Sequence, residues 1–234
     1  MLNKKGQVKR FWENRAIIDD ISRSESRVNF KDAKLVDSYI ESEISVISTE
    51  FALNENDILV DLGAGNGRWA LYFAPKVSKV TAVEYIKSFT NDIVKLAVER
   101  GFNNIEVINE SSENFYRLNY ADVIFVSGLL IYLDEEQYKN TLDNISKTVK
   151  QGGRLFMRET ISVLKNEFIV DKYSEELGAD YFSIYRTNEQ HIEALKLRGF
   201  ILQKSKPFFE DGSILNNRIE TRLYYFIFIK KHDQ

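Results

Sequence analysis

The sequence ILVDLGAGNGR at residues 58–68 decides the fold. It is an apolar run that reaches an acidic residue, Asp61, and then breaks into glycines at alternate positions, Gly63, Gly65 and Gly67. Glycine accepts left-handed backbone angles and lets backbone N–H groups approach a ligand without interference from a Cβ atom. The pattern therefore predicts a β-strand that ends in a nucleotide-type binding loop.

The spacing of the glycines separates the candidate cofactors. A dinucleotide-binding loop has the pattern G-x-G-x-x-G, in which the third glycine packs a helix against the strand. Here the pattern is G-x-G-x-G, and Arg68 takes the place of that third glycine. A second apolar run, residues 80–83, is closed by Glu84, whose carboxylate can accept two O–H donors from a cis-diol. The spacing therefore disfavours a dinucleotide, and Glu84 favours a ligand with a ribose diol.

At these residues the sequence resembles the class I S-adenosylmethionine (SAM) methyltransferases, over roughly residues 50–230. The resemblance implies that SAM binds as cofactor and leaves as S-adenosylhomocysteine (SAH), with residues 61–67 under its methionine part and Glu84 on its ribose. Ser111 stands where many members have the Asp beside the adenine, and Ser127 ends the strand beside the methyl group. The expected cofactor-binding residues are Asp61, Gly63, Ala64, Gly65, Gly67, Arg68, Glu84, Tyr85, Ser112, Glu113, Ser127 and Gly128.

The middle of the chain alternates between predicted strands and helices. Strands are predicted at residues 57–62, 79–84, 104–108, 121–127 and 153–159, and helices at 67–75, 88–100 and 135–149. Asp134 is a candidate N-cap for the helix at 135–149, and Gly152 with Gly153 is expected to end it. Strands joined through helices predict a parallel sheet with both faces covered.

The C-terminal third predicts a different ending of the sheet. Residues 187–190 read Thr-Asn-Glu-Gln and fit a capping box for a helix at 188–198. The runs 200–204 and 222–230 follow as strands, and their connection is too short for a crossover helix, so we expect antiparallel pairing. The resemblance implies the same α/β, Rossmann-like fold: seven strands, mostly parallel, with an antiparallel last strand and helices on both faces.

The N-terminal segment is predicted to be helical and to lie over the cofactor. Apolar residues recur at near-helical spacing over residues 8–23 and 31–52. We expect residues 1–52 to form a helical lid or extension, and residues 53–234 to form the SAM-binding domain, within a single structural domain overall.

Composition excludes several kinds of site and partner. Because the chain has no cysteine and two histidines, disulfides, thiolate metal sites and an all-histidine zinc site are excluded, and no metal is expected. A net charge of −3 argues against a nucleic-acid partner. The N-terminus lacks an apolar signal core, and the longest apolar run, residues 223–229, is far shorter than the ~20 residues of a membrane helix. We therefore expect a soluble, cytoplasmic protein without a membrane partner.

Several residues are candidates for the acceptor side of the site. Many small-molecule members of the family carry a histidine after the fourth strand, where this chain has Ile131. The candidate catalytic residues are Tyr132, Glu159 at a strand end, and His191, whose pKa the first turn of a helix would lower. The candidate substrate-binding residues are Trp12, Arg158, Tyr185 and Arg186, because arginine and tyrosine suit an acidic or phosphorylated acceptor.

These features predict a SAM-dependent methyltransferase that acts on the oxygen or nitrogen of a small metabolite, such as a sugar or a phosphorylated amine. Residues 158–160 and 185–187 resemble phosphoethanolamine methyltransferases, whereas the loop at 61–68 is slightly more similar to protein N-terminal methyltransferases. A protein or peptide amine methyltransferase is therefore an alternative, and so is a non-catalytic SAM-binding partner subunit. A nicotinamide enzyme is the third alternative, and the sequence leaves the oligomeric state open.

Overall fold

The computed structural model describes residues 4–17, 33–174, 179–216 and 218–232. The helices in these ranges are α1 (Lys4–Ile17), α2 (Ala33–Glu50), α3 (Arg68–Phe73), α4 (Lys87–Glu99), α5 (Glu135–Thr148) and α6 (Asn188–Lys196). The strands are β1 (Ile58–Leu62), β2 (Lys79–Val83), β3 (Ile105–Ile108), β4 (Ala121–Ser127), β5 (Val149–Ser162), β6 (Phe168–Ser174), β7 (Ala179–Tyr185), β8 (Phe200–Pro207) and β9 (Thr221–Lys230).

Seven of these strands form one sheet in the order β3-β2-β1-β4-β5-β9-β8. Strands β1 to β5 pair in parallel, whereas β9 runs antiparallel to both β5 and β8. The predicted sheet, mostly parallel with an antiparallel last strand, is confirmed. The strand order reverses between β1 and β4, and in α/β folds the crevice at the carboxyl ends of such strands is where ligands bind.

Helices cover both faces of this sheet, as predicted. On one face, Tyr138 of α5 shares a core cluster with Ile124 and Val126 of β4. On the other face, the ring of Phe73 in α3 lies 4.9 Å from that of Phe125 in β4. Neighbouring residues of β4 therefore serve opposite faces, which is why the strand is a continuous apolar run without alternation.

Both helix starts predicted from capping residues are confirmed. The Asp134 carboxylate accepts a hydrogen bond from Gln137 N at 2.9 Å, at the start of α5. The Thr187 hydroxyl accepts one from Gln190 N at 3.2 Å, at the start of α6. Each cap satisfies a backbone N–H group that has no partner inside its helix.

The helix predicted at 135–149 is confirmed to within one residue, but the predicted role of Gly152 and Gly153 in ending it is wrong. The helix stops at Thr148, and Val149 already begins β5. Gly152 and Gly153 lie inside this strand, near a register shift between β4 and β5. Gly152 has a φ of 72°, and a Cβ atom on Gly153 would lie 2.8 Å from Lys150 O, so the two glycines serve an irregular strand start.

A hairpin formed by β6 and β7 lies between β5 and α6 and is absent from the sequence prediction. Its outer strand exposes Ile169 and Tyr173, which are 51% and 59% exposed, so it lacks the buried apolar face that marks a core strand. The hairpin packs against α1, where the rings of Phe11 and Tyr181 are 5.7 Å apart.

The two predicted leading helices correspond to α1 and α2. Helix α1 begins earlier than predicted, and the part of the prediction at residues 18–23 lies outside the described residues. No described helix combines the length and the apolar character that crossing a bilayer requires.

Candidate active site

The three glycines of the loop after β1 have different tasks. All three take left-handed backbone angles, with φ of 78° at Gly63, 55° at Gly65 and 84° at Gly67. A Cβ atom on Gly65 would meet nothing within 4 Å, whereas one on Gly67 would lie 2.6 Å from Cγ1 of Ile93 in α4. Gly65 therefore leaves room beside the loop, and Gly67 lets α3 start against α4.

Glu84 connects this loop to the end of β2 through hydrogen bonds of its carboxylate. One of its carboxylate oxygens accepts from Gly65 N at 2.9 Å, and the other accepts from Ile86 N at 2.7 Å. Burial raises the pKa of Glu84 to about 7, and the backbone N–H donors oppose that shift. A carboxylate oxygen can accept more than one hydrogen bond, so Glu84 still has acceptor capacity for a ligand.

Asp61 lies beneath the loop and does not reach the cavity described below. Its Oδ2 atom is buried and has no hydrogen-bond partner among the described residues. Burial raises the pKa of Asp61 to about 7, and the nearby charge of Glu84 raises it further, while a hydrogen bond from the Ala70 backbone opposes both. Asp61 therefore supports the loop from below.

A cavity of about 350 Å³ opens at the carboxyl ends of the strands. Its wall includes the loop after β1, the ends of β2, β4, β5 and β7, the start of β9, and α1. The predicted site residues on this wall are Gly63, Ala64, Gly65, Arg68, Glu84, Tyr85, Ser112, Glu113, Ser127, Gly128, Trp12, Tyr132, Arg158 and Tyr185. The predicted residues that are not part of the wall are Asp61, Gly67, Glu159, Arg186 and His191.

Glu159 and Arg186 clamp the loop after β4 from two sides. The buried Glu159 Oε1 accepts from Leu129 N at 2.9 Å and from Leu130 N at 3.0 Å. Arg186 donates to Leu130 O and to Leu133 O, both at 3.1 Å. The structure therefore places Glu159 and Arg186 behind the loop that carries Tyr132, where they position it instead of contacting a ligand.

His191 is buried in the core behind the same loop. Its Nδ1 atom lies 2.9 Å from the Tyr138 hydroxyl, and its Nε2 atom has no partner among the described residues. Burial lowers the pKa of His191 to about 3, with a further contribution from the charge of Arg186. The pKa falls as predicted, but burial is its main cause, and the imidazole is too remote to accept a proton from a ligand in the cavity.

Tyr132 is the one predicted catalytic residue on the cavity wall. Its ring meets that of Trp12 edge-on at 5.3 Å, and burial raises the pKa of its hydroxyl well above the ordinary value. The hydroxyls of Tyr181 and Tyr185, both from the hairpin, are 3.2 Å apart and also face this region. Around Tyr132 the wall thus offers tyrosine hydroxyls, and the hydroxyl of Tyr132 stays protonated at neutral pH.

Arg158 belongs to a buried ion network that sequence reasoning missed. Its Nη1 donates to Ser127 Oγ at 3.2 Å, and its Nη2 donates to Tyr39 OH at 2.6 Å and to the Glu43 carboxylate. The other oxygen of Glu43 lies 2.5 Å from Arg68 Nη2. Glu43 is fully buried on an apolar stripe of α2, and an acid at such a position is the signal that could have revealed it.

The described residues contain no group of three or more His, Asp or Glu side chains placed to hold a metal ion.

A seven-stranded sheet of this order, with a glycine loop after β1 and an acidic residue after β2, is the class I methyltransferase fold. Residues 59–153 match the family model described as a methyltransferase domain. Residues 59–153 are thus similar to a methyltransferase domain, and the fold is the one that the glycine loop predicted.

Two curated relatives share part of the sequence. A protein of Methanocaldococcus jannaschii described as uncharacterised is 31% identical over 116 residues, which are 49% of this chain and 42% of that protein. Phosphoethanolamine N-methyltransferase 1 of Triticum aestivum is 27% identical over 154 residues, which are 65% of this chain and 30% of that protein. The match covers less than half the length of either relative.

Two solved structures share the fold. Phosphoethanolamine N-methyltransferase 1 of Haemonchus contortus, in complex with phosphoethanolamine and SAH, has a TM-score of 0.74 at 18% identity and covers 99% of this chain and 50% of that one. The N-methyltransferase NodS of Bradyrhizobium japonicum, in complex with SAH, has a TM-score of 0.66 at 14% identity and covers 97% of this chain and 100% of that one. These likenesses confirm the fold.

Replacing Gly67 with alanine should destabilise the protein more than replacing Gly101. Both glycines have positive φ, but a Cβ atom on Gly101 would meet nothing within 4 Å, so the pair separates backbone strain from the contact with Ile93. We expect a loss of about 1 kcal/mol for Gly101→Ala and about 2–4 kcal/mol for Gly67→Ala, measured by urea unfolding. Equal losses of stability would mean that the contact with Ile93 does not contribute to the effect of Gly67→Ala.

Glu159→Gln should be tolerated where Glu159→Ala is not. Glutamine keeps an acceptor for the two backbone N–H groups, whereas alanine leaves both unsatisfied. We therefore expect Glu159→Ala to lower the free energy of unfolding by about 2–4 kcal/mol. Burial raises the pKa of Glu159 to about 7. Between the ordinary pKa of a glutamate and pH 7, the folded wild type therefore binds more protons than the unfolded chain. The stability that protonation of Glu159 contributes is lost as the pH rises through 7.

The pH dependence gives the test of this assignment. The free energy of unfolding is measured for both proteins at pH 5.5 and at pH 8. The value for Glu159→Gln, relative to that of wild type, should be higher at pH 8. Comparing the two proteins cancels the contributions of the other buried acids, Asp61 and Glu84. A glutamine variant as unstable as the alanine variant at both pH values would contradict the clamp.

Proposed function

We propose that the chain is a SAM-dependent methyltransferase that transfers a methyl group to the oxygen or nitrogen of a small metabolite and releases SAH. The observation that carries the proposal is the placement of Glu84 against Gly65, at the edge of a cavity between the ends of β1 and β4. A cavity of about 350 Å³ suits a ligand of nucleoside size.

The residues on the wall divide into those for the cofactor and those for the acceptor. We assign the loop from Gly63 to Gly65 and Arg68 to the methionine part, Glu84 to the ribose, and Ser112 and Glu113 to the adenine side. Bound SAM supplies a methyl group on a good leaving group. The chain then has to align the acceptor and exclude water, which requires little acid or base chemistry.

We assign catalysis to positioning by Tyr132 and Tyr185, whose hydroxyls can donate to or accept from the acceptor. Among the described residues, no carboxylate or imidazole is hydrogen-bonded to either hydroxyl, which supports that assignment. Glu159 acts through the loop it holds, and His191 through the packing of Tyr138.

We further propose that α1 is a lid over the cavity and that residues 1–52 form an extension to the domain at 53–234. Lys5, Val8 and Trp12 of α1 are part of the wall, and Lys5 Nζ lies 2.5 Å from the Glu113 carboxylate. A helix in this place narrows the cavity, which supports a small acceptor over a peptide chain.

A non-catalytic SAM-binding subunit is the second candidate. This candidate is supported by the positions of Glu159 and His191, because neither of these candidate catalytic residues is part of the cavity wall. Transfer of a methyl group to any member of a panel of small amines, alcohols and peptides would exclude it, and a peptide-only result would favour the protein amine methyltransferase.

Glu84→Ala should weaken SAH binding by at least about tenfold, because one charge-assisted hydrogen bond contributes about 1.5–3 kcal/mol. Titration calorimetry measures the affinity, and Glu99→Ala on the exposed face of α4 is the matched control. Since the pKa of Glu84 is about 7 and the ionised form is the better acceptor, SAH affinity of the wild type should fall as pH falls below 7. The same pH profile in Glu84→Gln would contradict this role.

Trp12→Ala should speed the release of SAH by about tenfold, because the lid loses aromatic contacts worth about 1–1.5 kcal/mol. Stopped-flow displacement measures the dissociation rate, and Asn14→Ala, on the exposed side of α1, is the control. An unchanged dissociation rate in Trp12→Ala would contradict the proposal that α1 is a lid.

A further inference from the structure

A group of three buried charges, here called the charge trio, lies between the glycine loop and the end of β4. The fully buried Glu43 carboxylate accepts from Arg68 Nη2 at 2.5 Å through one oxygen and from Arg158 Nη2 through the other. Arg68 begins α3 and Arg158 lies in β5, so a residue of α2 joins two guanidinium groups from separate parts of the cavity wall. The charge trio therefore carries one positive charge in excess.

Arg158 brings one of these positive charges close to the place where the methyl group is expected. Its Nη1 donates to Ser127 Oγ at 3.2 Å, at the end of β4. The resemblance to class I methyltransferases puts the methyl group of SAM beside this serine. The sulfur that carries the methyl group is a sulfonium cation in SAM and a neutral thioether in SAH. A guanidinium near this point therefore opposes binding of SAM more than binding of SAH.

The surroundings of Arg158 screen its charge poorly. Its side chain is 13% exposed, and its guanidinium carbon lies 5.7 Å from the centre of the Phe208 ring. Charges interact more strongly in such surroundings than in water. Burial works against the charge of Arg158, yet the charge of Glu43 raises its pKa above the ordinary value, so the guanidinium stays cationic. A cationic cofactor at this place therefore requires a negative charge beside Arg158.

Glu43 is placed to supply that negative charge. One of its oxygens contacts the guanidinium directly, and its burial keeps water from competing for the contact. Glu159 follows Arg158 in the chain and adds to the effect, but its Oε1 atom accepts from the loop after β4. With a pKa of about 7, Glu159 is also partly protonated at neutral pH. Among the described residues, Glu43 is therefore the main counter-charge of Arg158.

We propose that Glu43 is a specificity-determining residue, which lets the site accept the cationic cofactor by cancelling the charge of Arg158 beside the expected sulfonium position. The remaining positive charge, that of Arg68, can be balanced by the carboxylate of the methionine part. The inference rests on the proposed function, because it concerns the cofactor of that same cavity. It adds a determinant on α2, outside the glycine loop and Glu84.

The experiment compares the affinities of SAM and SAH, because these ligands differ by one methyl group and one positive charge. Titration calorimetry of the full chain at pH 8 and constant ionic strength gives the ratio of the two dissociation constants. The variants Glu43→Gln, Arg158→Gln and the double variant raise, lower and leave unchanged the net charge of the charge trio. Glu41→Gln, which removes an exposed carboxylate from the same helix, is the matched control.

We expect Glu43→Gln to weaken SAM binding at least about tenfold more than SAH binding, because two guanidinium groups without their carboxylate then lie near the sulfonium position. Arg158→Gln should shift the ratio in favour of SAM. The double variant should return the ratio to that of wild type, which Glu41→Gln keeps. A purely structural role of Glu43 would weaken both ligands equally, so an unchanged ratio in Glu43→Gln would overturn the proposal.

The same titrations separate this inference from the proposed function. If both ligands bind wild type and the ratio is the same in every variant, this inference alone is wrong. If neither ligand binds wild type, the proposed cofactor is wrong, and this inference is wrong with it. If Glu43→Gln does not fold, Arg158→Gln and the double variant decide the outcome, because removing both charges of a buried pair costs less stability than removing one.

Discussion

The site depends on one constraint, which is the clamping of the loop after β4 between two buried ionisable groups, a carboxyl group and a guanidinium. Glu159 takes the N–H groups of Leu129 and Leu130, and Arg186 takes carbonyl oxygens of the same loop. A short loop at a strand end would otherwise leave these groups unsatisfied inside the protein. The clamp sets where Tyr132 stands, and through Tyr132 it sets where Trp12 of α1 packs.

A second constraint acts on the cofactor side. Asp61 and Glu84 are both buried beside the glycine loop, and burial raises the pKa of each to about 7. Glu84 offsets part of this cost by accepting from backbone N–H groups, whereas Asp61 keeps an oxygen without a partner among the described residues. Buried acids with a raised pKa are typical of functional sites, since burying a carboxyl group without an ion-pair partner costs stability.

The sequence predicted the sheet, and it predicted that Glu84 and the glycine loop meet at one edge of it, because both rest on local signals. Apolar runs and glycine spacing mark β1 and its loop, and Glu84 follows directly in the chain. The acceptor side depends on contacts between distant segments: the apolar stripe of α2 marks Glu43 as an unusual buried acid, but it does not identify the partners Arg68 and Arg158. For the same reason the sequence suggests Glu159 and His191 as catalytic residues, because chain position alone does not show that their side chains turn into the core. The hairpin of β6 and β7 is not predicted from the sequence, because its outer strand β6 has no buried apolar face and so lacks the pattern that marks a core strand.

The decisive measurement is titration of the full chain with SAH and with NAD, side by side in a calorimeter. We expect SAH to saturate a single site and NAD not to bind. Binding of NAD without binding of SAH would contradict it, and the glycine loop would then belong to a nicotinamide enzyme.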